Sequence, residues 1–186
     1  MSKTAFKEFV EQEREKTESW KNSIHWEGRK QSYLNRIEEL LYNVEKFLGE
    51  FTESNDIQIK KRKKKIQEEF IGQYEVPVLR IQLFGKQAAL IPVGTLIIGT
   101  PGRVDLVGPI ETKRIILTDK DKDRPQPPVG YSCLWLEEDQ KLAEIKAQES
   151  QEREFVWKII TDPPDIHYIE LNKDSFLSSL QEVLDA

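Results

Sequence analysis

The sequence predicts an α+β fold: a helical hairpin, then a central antiparallel β-meander of about six to eight strands, then a C-terminal amphipathic helix. Three observations carry this expectation. Apolar residues recur at three- and four-residue steps between Tyr33 and Phe51, the period of a helix with one buried face. From Val78 the period changes to two, with Leu79, Ile81 and Leu83 alternating with Val78, Arg80 and Gln82, as in a half-buried strand. Gly85, Gly94, Gly99, Gly102 and Gly108 then cut the apolar runs into short pieces with no helix-length segment between them. That spacing suits neighbouring up-and-down strands and not parallel strands, which need long crossovers.

The elements follow in order. Phe6, Phe9, Val10, Thr17 and Trp20 share roughly one face of a first helix, and the pattern breaks between Asn22 and Gly28. The second helix carries Tyr33, Leu34, Ile37, Leu40, Leu41, Val44, Phe47, Leu48 and Phe51. Two helices joined by a short break form an antiparallel hairpin. Residues 57–75 read either as two strands or as a basic-then-acidic helix, and the alternation in Ile57-Gln58-Ile59 favours strands. Strands are expected at Val78–Leu83, Ala88–Val93, Thr95–Ile98, Val104–Val107 and Arg114–Leu117. Thr118–Gly130 is proline-rich and charged, hence a loop. A strand at Tyr131–Leu136 and a solvated helix or linker at Glu137–Glu154 come next. Phe155–Ile160 and Ile166–Leu171 flank an Asp162-Pro163-Pro164-Asp165 turn, and Asn172 caps a last helix bearing Phe176, Leu177, Leu180, Val183 and Leu184. Residues 1–53 and 54–186 thus divide into a helical hairpin and a sheet region of one compact unit.

The bulk numbers bound the function. A chain of 186 residues suits one domain. Its formal net charge of -5 gives no global attraction to nucleic acid or to an anionic membrane. Cys133 is the single cysteine, so no intramolecular disulfide forms, and its Leu134-Trp135-Leu136 flank reads as a core strand. No apolar run reaches the roughly 20 residues of a membrane span, and the N-terminus turns acidic at once, so the cytoplasm is the expected location.

Several motifs carry chemistry. Asp105 on one strand followed by Glu111-Thr112-Lys113 on the next resembles in part the metal site of restriction-type nucleases. The resemblance implies Asp105 and Glu111 holding a divalent cation and Lys113 orienting the attacking water. Only five residues separate the two acids, and they include the turn-like Gly108-Pro109. The favoured reading is therefore an Arg103/Asp105 pair on a solvated strand face, with Glu111 and Lys113 in or just after a turn.

Lys60, Lys61, Arg62, Lys63, Lys64 and Lys65 form a run of cations that can contact phosphates or an acidic partner. No aromatic is interleaved to stack on bases, and Glu68 and Glu69 follow closely. The plainer role is an edge strand or turn on which lysines discourage edge-to-edge pairing. Asp119, Asp121 and Asp123 start like a calcium loop, but Arg124 and Gly130 stand where such a loop needs glycine and glutamate. Two histidines and one cysteine do not make a zinc site, so no metal and no cofactor is expected.

The second-helix stripe suggests a different activity. Trp20, Trp26, Tyr33, Ile37, Leu41, Val44 and Leu48 would serve as interface anchors if the stripe exceeds what the sheet covers. The leading expectation is a non-catalytic interaction or accessory protein that binds another protein or itself. A metal-dependent nuclease and a nucleic-acid or phosphate-binding module are the alternatives.

Overall fold

A computed structural model describes residues 3–23, 25–95, 97, 100–125 and 154–185. Helices α1 (Lys3–Ser23), α2 (Trp26–Phe47) and α3 (Gly49–Glu53) precede strands β1 (Ile57–Glu68), β2 (Gly72–Leu83), β3 (Lys86–Gly94), β4 (Gly102–Val107), β5 (Thr112–Asp119), β6 (Phe155–Ile160) and β7 (Tyr168–Glu170), and helix α4 (Lys173–Leu184) closes the chain. The strands form one sheet in the order β1-β2-β3-β4-β5-β6-β7. Every neighbouring pair is antiparallel. The meander and the α+β class are as the sequence predicts. Among the described residues, no helix is long and apolar enough to cross a membrane.

Two local expectations change, and one falls outside the described residues. Thr95–Ile98 does not form a sheet strand among the described residues; Ile97 makes only an isolated bridge with Thr100. The strand expected at Tyr131–Leu136 and the helix expected over most of Glu137–Glu154 lie outside the described residues, as does Cys133. The helical hairpin is present only as two consecutive helices. Helix α1 makes no more than isolated contacts with other described elements, and its Phe6, Phe9 and Val10 are exposed.

Helices α2 and α4 cover one face of the sheet. From α2 come Tyr33, Ile37, Leu40, Leu41 and Val44, and from α4 come Phe176, Leu180, Val183 and Leu184, all buried. They meet strand residues that stand opposite one another across the ladder: Leu79 and Leu90, Leu90 and Leu106, Val104 and Ile115, Ile115 and Ile159. Each fully buried Leu or Ile contributes about 1.5–3 kcal/mol relative to exposure. Asn172 caps α4 as predicted: its Oδ1 accepts from Ser175 N at 3.0 Å, and Ser175 Oγ accepts from Asn172 N at 3.0 Å.

Tyr33 ties α2 to the sheet. Its hydroxyl donates to the Arg103 carbonyl at 2.6 Å and accepts from Gly94 N at 3.1 Å. The ring packs against β4, where a Cβ on Gly102 would stand 2.7 Å from it. Close approach here requires glycine.

The β1–β2 hairpin outreaches its neighbour. β3 pairs only with Leu79–Leu83, so the rest of the hairpin is a two-stranded arm. Buried positions change parity along it. Ile57, Leu79 and Ile81 are buried on the helix-facing side, while Ile66, Glu68, Tyr74, Val76 and Val78 are buried on the other, although the register is unbroken. Two-stranded ribbons twist more than wide sheets, so the arm turns its opposite face towards the molecule. A buried carboxylate anchors it: Glu68 accepts from Thr95 N at 2.8 Å, from Thr95 Oγ1 at 3.0 Å and from the Tyr74 hydroxyl. Trp26 stacks on Phe70 in the arm's turn, with ring centroids 5.0 Å apart.

Candidate functional site

The sheet face away from α2 and α4 carries the candidate site. Antiparallel pairing sets Lys60 opposite Arg80, Arg62 opposite Val78 and Lys64 opposite Val76. Directly opposed residues share a face. The even-numbered cations of β1 therefore project beside Arg80, and Arg80 stands opposite Ala89, which stands opposite Val107. The result is a groove of about 950 Å³. Arg62, Lys64 and Arg80 project towards it, Lys63 and Lys86 border it from positions of the opposite face, and its apolar surface comes from Val78, Ala89, Ile91, Val107 and Pro109. Among the described residues, no Asp, Glu or aromatic side chain lines it.

Among the described residues the charge is only partly compensated. Lys63 pairs with Glu75 at 3.1 Å, and Lys61, on the opposite face, pairs with Glu45 at 2.9 Å. Lys86 pairs with Asp185. Lys60, Arg62, Lys64, Lys65 and Arg80 have no carboxylate partner among the described residues. Lys60 directly opposite Arg80 is a like-charge cross-strand pair, an arrangement that costs about 0.2–1 kcal/mol. A bound anion would remove that cost. β1 is also an edge strand, so its lysines oppose pairing with another copy of the same basic strand.

Asp105, Glu111 and Lys113 do not converge. Asp105 stands opposite Arg114, and Lys113 stands opposite Leu106. Successive strand residues point to opposite faces, so Asp105 lies on the groove side and Lys113 on the helix side. Asp105 is held by Arg103 through two hydrogen bonds of 2.7 and 2.8 Å, the pair expected from sequence. Lys113, with its side chain 13% exposed, meets Glu111 at 2.9 Å, Glu182 at 2.9 Å and Asp162 at 3.3 Å. Burial opposes its charge, but its hydrogen bonds to the Glu111, Glu182 and Asp162 carboxylates outweigh it and hold the amine above the ordinary lysine range. The cluster joins the β4–β5 turn to α4.

The interface residues expected on α2 lie in the interior. Tyr33, Ile37, Leu41, Val44 and Leu48 are buried in the chain's own core, and Leu34, Phe47 and Phe51 at the margin of the stripe are partly buried against it. Trp26 is engaged with Phe70. Trp20 falls on α1, and its side chain is outside the described part of the structure.

Sequence reasoning missed Arg80, Lys86 and the apolar floor. Arg80 was visible only as the polar half of an alternating strand, and its placement beside the basic run follows from the β1–β2 register. Comparison with protein-family models, with curated proteins and with solved structures returned no match.

Proposed function

We propose that this is a non-catalytic accessory protein that binds an acidic, amphipathic segment of another protein in the groove on the outer face of β1–β4. One observation carries the reading. Arg62, Lys64 and Arg80, none with a carboxylate partner among the described residues, stand on one face beside an apolar floor, on a chain of net charge -5. Local positive charge of this kind attracts and orients anions. The apolar floor asks for more than phosphate, since Val78, Ala89, Ile91 and Val107 gain only from apolar contact. Single-stranded nucleic acid would seek aromatic platforms, and the groove has none among the described residues. An acidic segment with interspersed Leu or Val side chains satisfies rim and floor together.

The test is fluorescence anisotropy with a labelled peptide alternating Glu and Leu, beside its Leu→Ser counterpart and single- and double-stranded DNA, across a salt series. The Glu/Leu peptide is expected to bind best and to weaken with salt. Arg62→Glu with Lys64→Glu, both exposed, should weaken it at least about tenfold. Tighter binding of DNA than of peptide would transfer the reading to nucleic acid. Equal binding of the Leu and Ser peptides would remove the apolar floor from the argument and defeat the proposal.

A further inference from the structure

A second surface lies at the β2–β3 turn, beside α4. Phe84 and Gly85 form the two-residue connection closed by the Leu83/Lys86 pair. Both have positive φ, 44° and 90°, as in the mirror-image turns that hairpins favour. Asn-Gly or Asp-Gly suits such a turn, whereas a bulky side chain at positive φ is an outlier. Phe84 recovers little of that strain inside the chain, because it is 82% exposed, the most exposed large hydrophobic among the described residues. Strain held at an exposed position points to a use outside the chain's own core.

The adjoining surface is a hole of matching kind. A groove of about 330 Å³ is lined by Phe51, Ile57, Leu83, Leu177, Leu180 and Leu184. A dry cavity of about 150 Å³ already accepts benzene, so a phenyl ring fits with room to spare. Leu83 and Lys86 flank Phe84 and both line this groove, yet the ring itself stands in solvent.

We infer that Phe84 of one copy enters this groove on a second copy, and reciprocally, in a two-fold dimer. Knob and hole lie side by side on one chain, and a two-fold axis exchanges them, which is the self-complementarity of an isologous contact. The rim is compatible in charge: Lys86 and Asp185, paired within the chain and both substantially exposed, can exchange partners across the axis. Of the stripe that the sequence suggested for self-association, this surface shares only Phe51. Two phenyl anchors and their walls make a small interface, at the low end of those that give specific association. Dimerisation is therefore expected at tens to hundreds of micromolar.

Sedimentation velocity over a concentration series tests this. The wild type should shift from monomer to dimer. Phe84→Asn should abolish the shift and raise the thermal midpoint of the monomer, because Asn tolerates positive φ. Leu177→Gln, at a half-buried groove wall, should weaken the dimer at least about tenfold. A wild type that stays monomeric to about 1 mM, above that whole range of dissociation constants, overturns the inference. So does a dimer that survives Phe84→Asn unchanged.

Discussion

Replacing Gly108 by alanine is expected to destabilise the protein by about 2–4 kcal/mol. Gly108 leaves β4 at the turn to β5, where a Cβ would stand 2.1 Å from the Val183 carbonyl oxygen and 2.7 Å from the Val183 Cβ. A carbon and a carbonyl oxygen rest at about 3.3–3.6 Å, so the turn or the end of α4 must move by about 1 Å or more. The carbonyl belongs to backbone and cannot swing aside like a flexible side chain. It also accepts from Ile110 N at 3.2 Å, which ties the same two elements together. Displacing α4 loosens Val183 and Leu184, both buried, and stretches the Lys113–Glu182 pair. Overpacking of this kind costs about 1–3 kcal/mol, and the lost hydrogen bond adds about 1 kcal/mol. Urea unfolding would show a lower midpoint at unchanged slope. Gly49→Ala is the comparator: a Cβ there meets nothing within 4 Å, and the change should be within about 1 kcal/mol of neutral. A Gly108→Ala midpoint equal to that of wild type would refute the docking of α4 on the β4–β5 turn.

Stability should fall as the solution becomes alkaline. Burial raises the Tyr33 and Tyr74 hydroxyls above the ordinary tyrosine range, and Lys113 is raised by its three carboxylates against the opposing effect of burial. Each group holds its proton more tightly when folded, so its stabilising contribution is intact below about pH 10 and declines above it, at up to about 1.4 kcal/mol per pH unit per group. Urea midpoints taken from about pH 8 to about pH 11 should drop, and a flat profile would contradict this. Tyr33→Phe removes one of these contributions and leaves the Gly94 N–H without its phenol oxygen, lowering stability at neutral pH by about 1–3 kcal/mol. Thermal unfolding of this variant should show the loss at neutral pH and a shallower alkaline decline. Lys113→Met leaves Glu111, Asp162 and Glu182 without their shared cation, and a loss of about 1–3 kcal/mol is expected. The deficit relative to wild type should shrink towards about pH 4 as carboxylates lose charge; a deficit independent of pH would show that packing, not charge, is responsible.

Much of the architecture was legible in the chain. The Tyr33–Phe51 stripe marks a helix whose face must be covered, and the Asn172 cap marks the start of the last helix. The basic run was the hardest segment to place. Six consecutive cations carry no apolar alternation, so nothing between Lys60 and Lys65 distinguishes strand from helix. The hydrogen-bond ladder with β2 supplies what that segment lacks. The α2 stripe showed that burial was needed but not what would supply it, and the interface suggested for it disappears once sheet and α4 are in place.

The order of the strands, the switch from helical to strand period and the local charge of Lys60–Lys65 are properties of the sequence alone, since each depends on neighbours along the chain. Which residues share a face is different. Side chains alternate across a strand, so a shift of one residue in pairing would exchange every partner. Only the assembled sheet separates Asp105 from Lys113 on opposite faces, brings Arg80 beside Arg62 and Lys64, and leaves Phe84 standing in solvent next to a groove it does not fill.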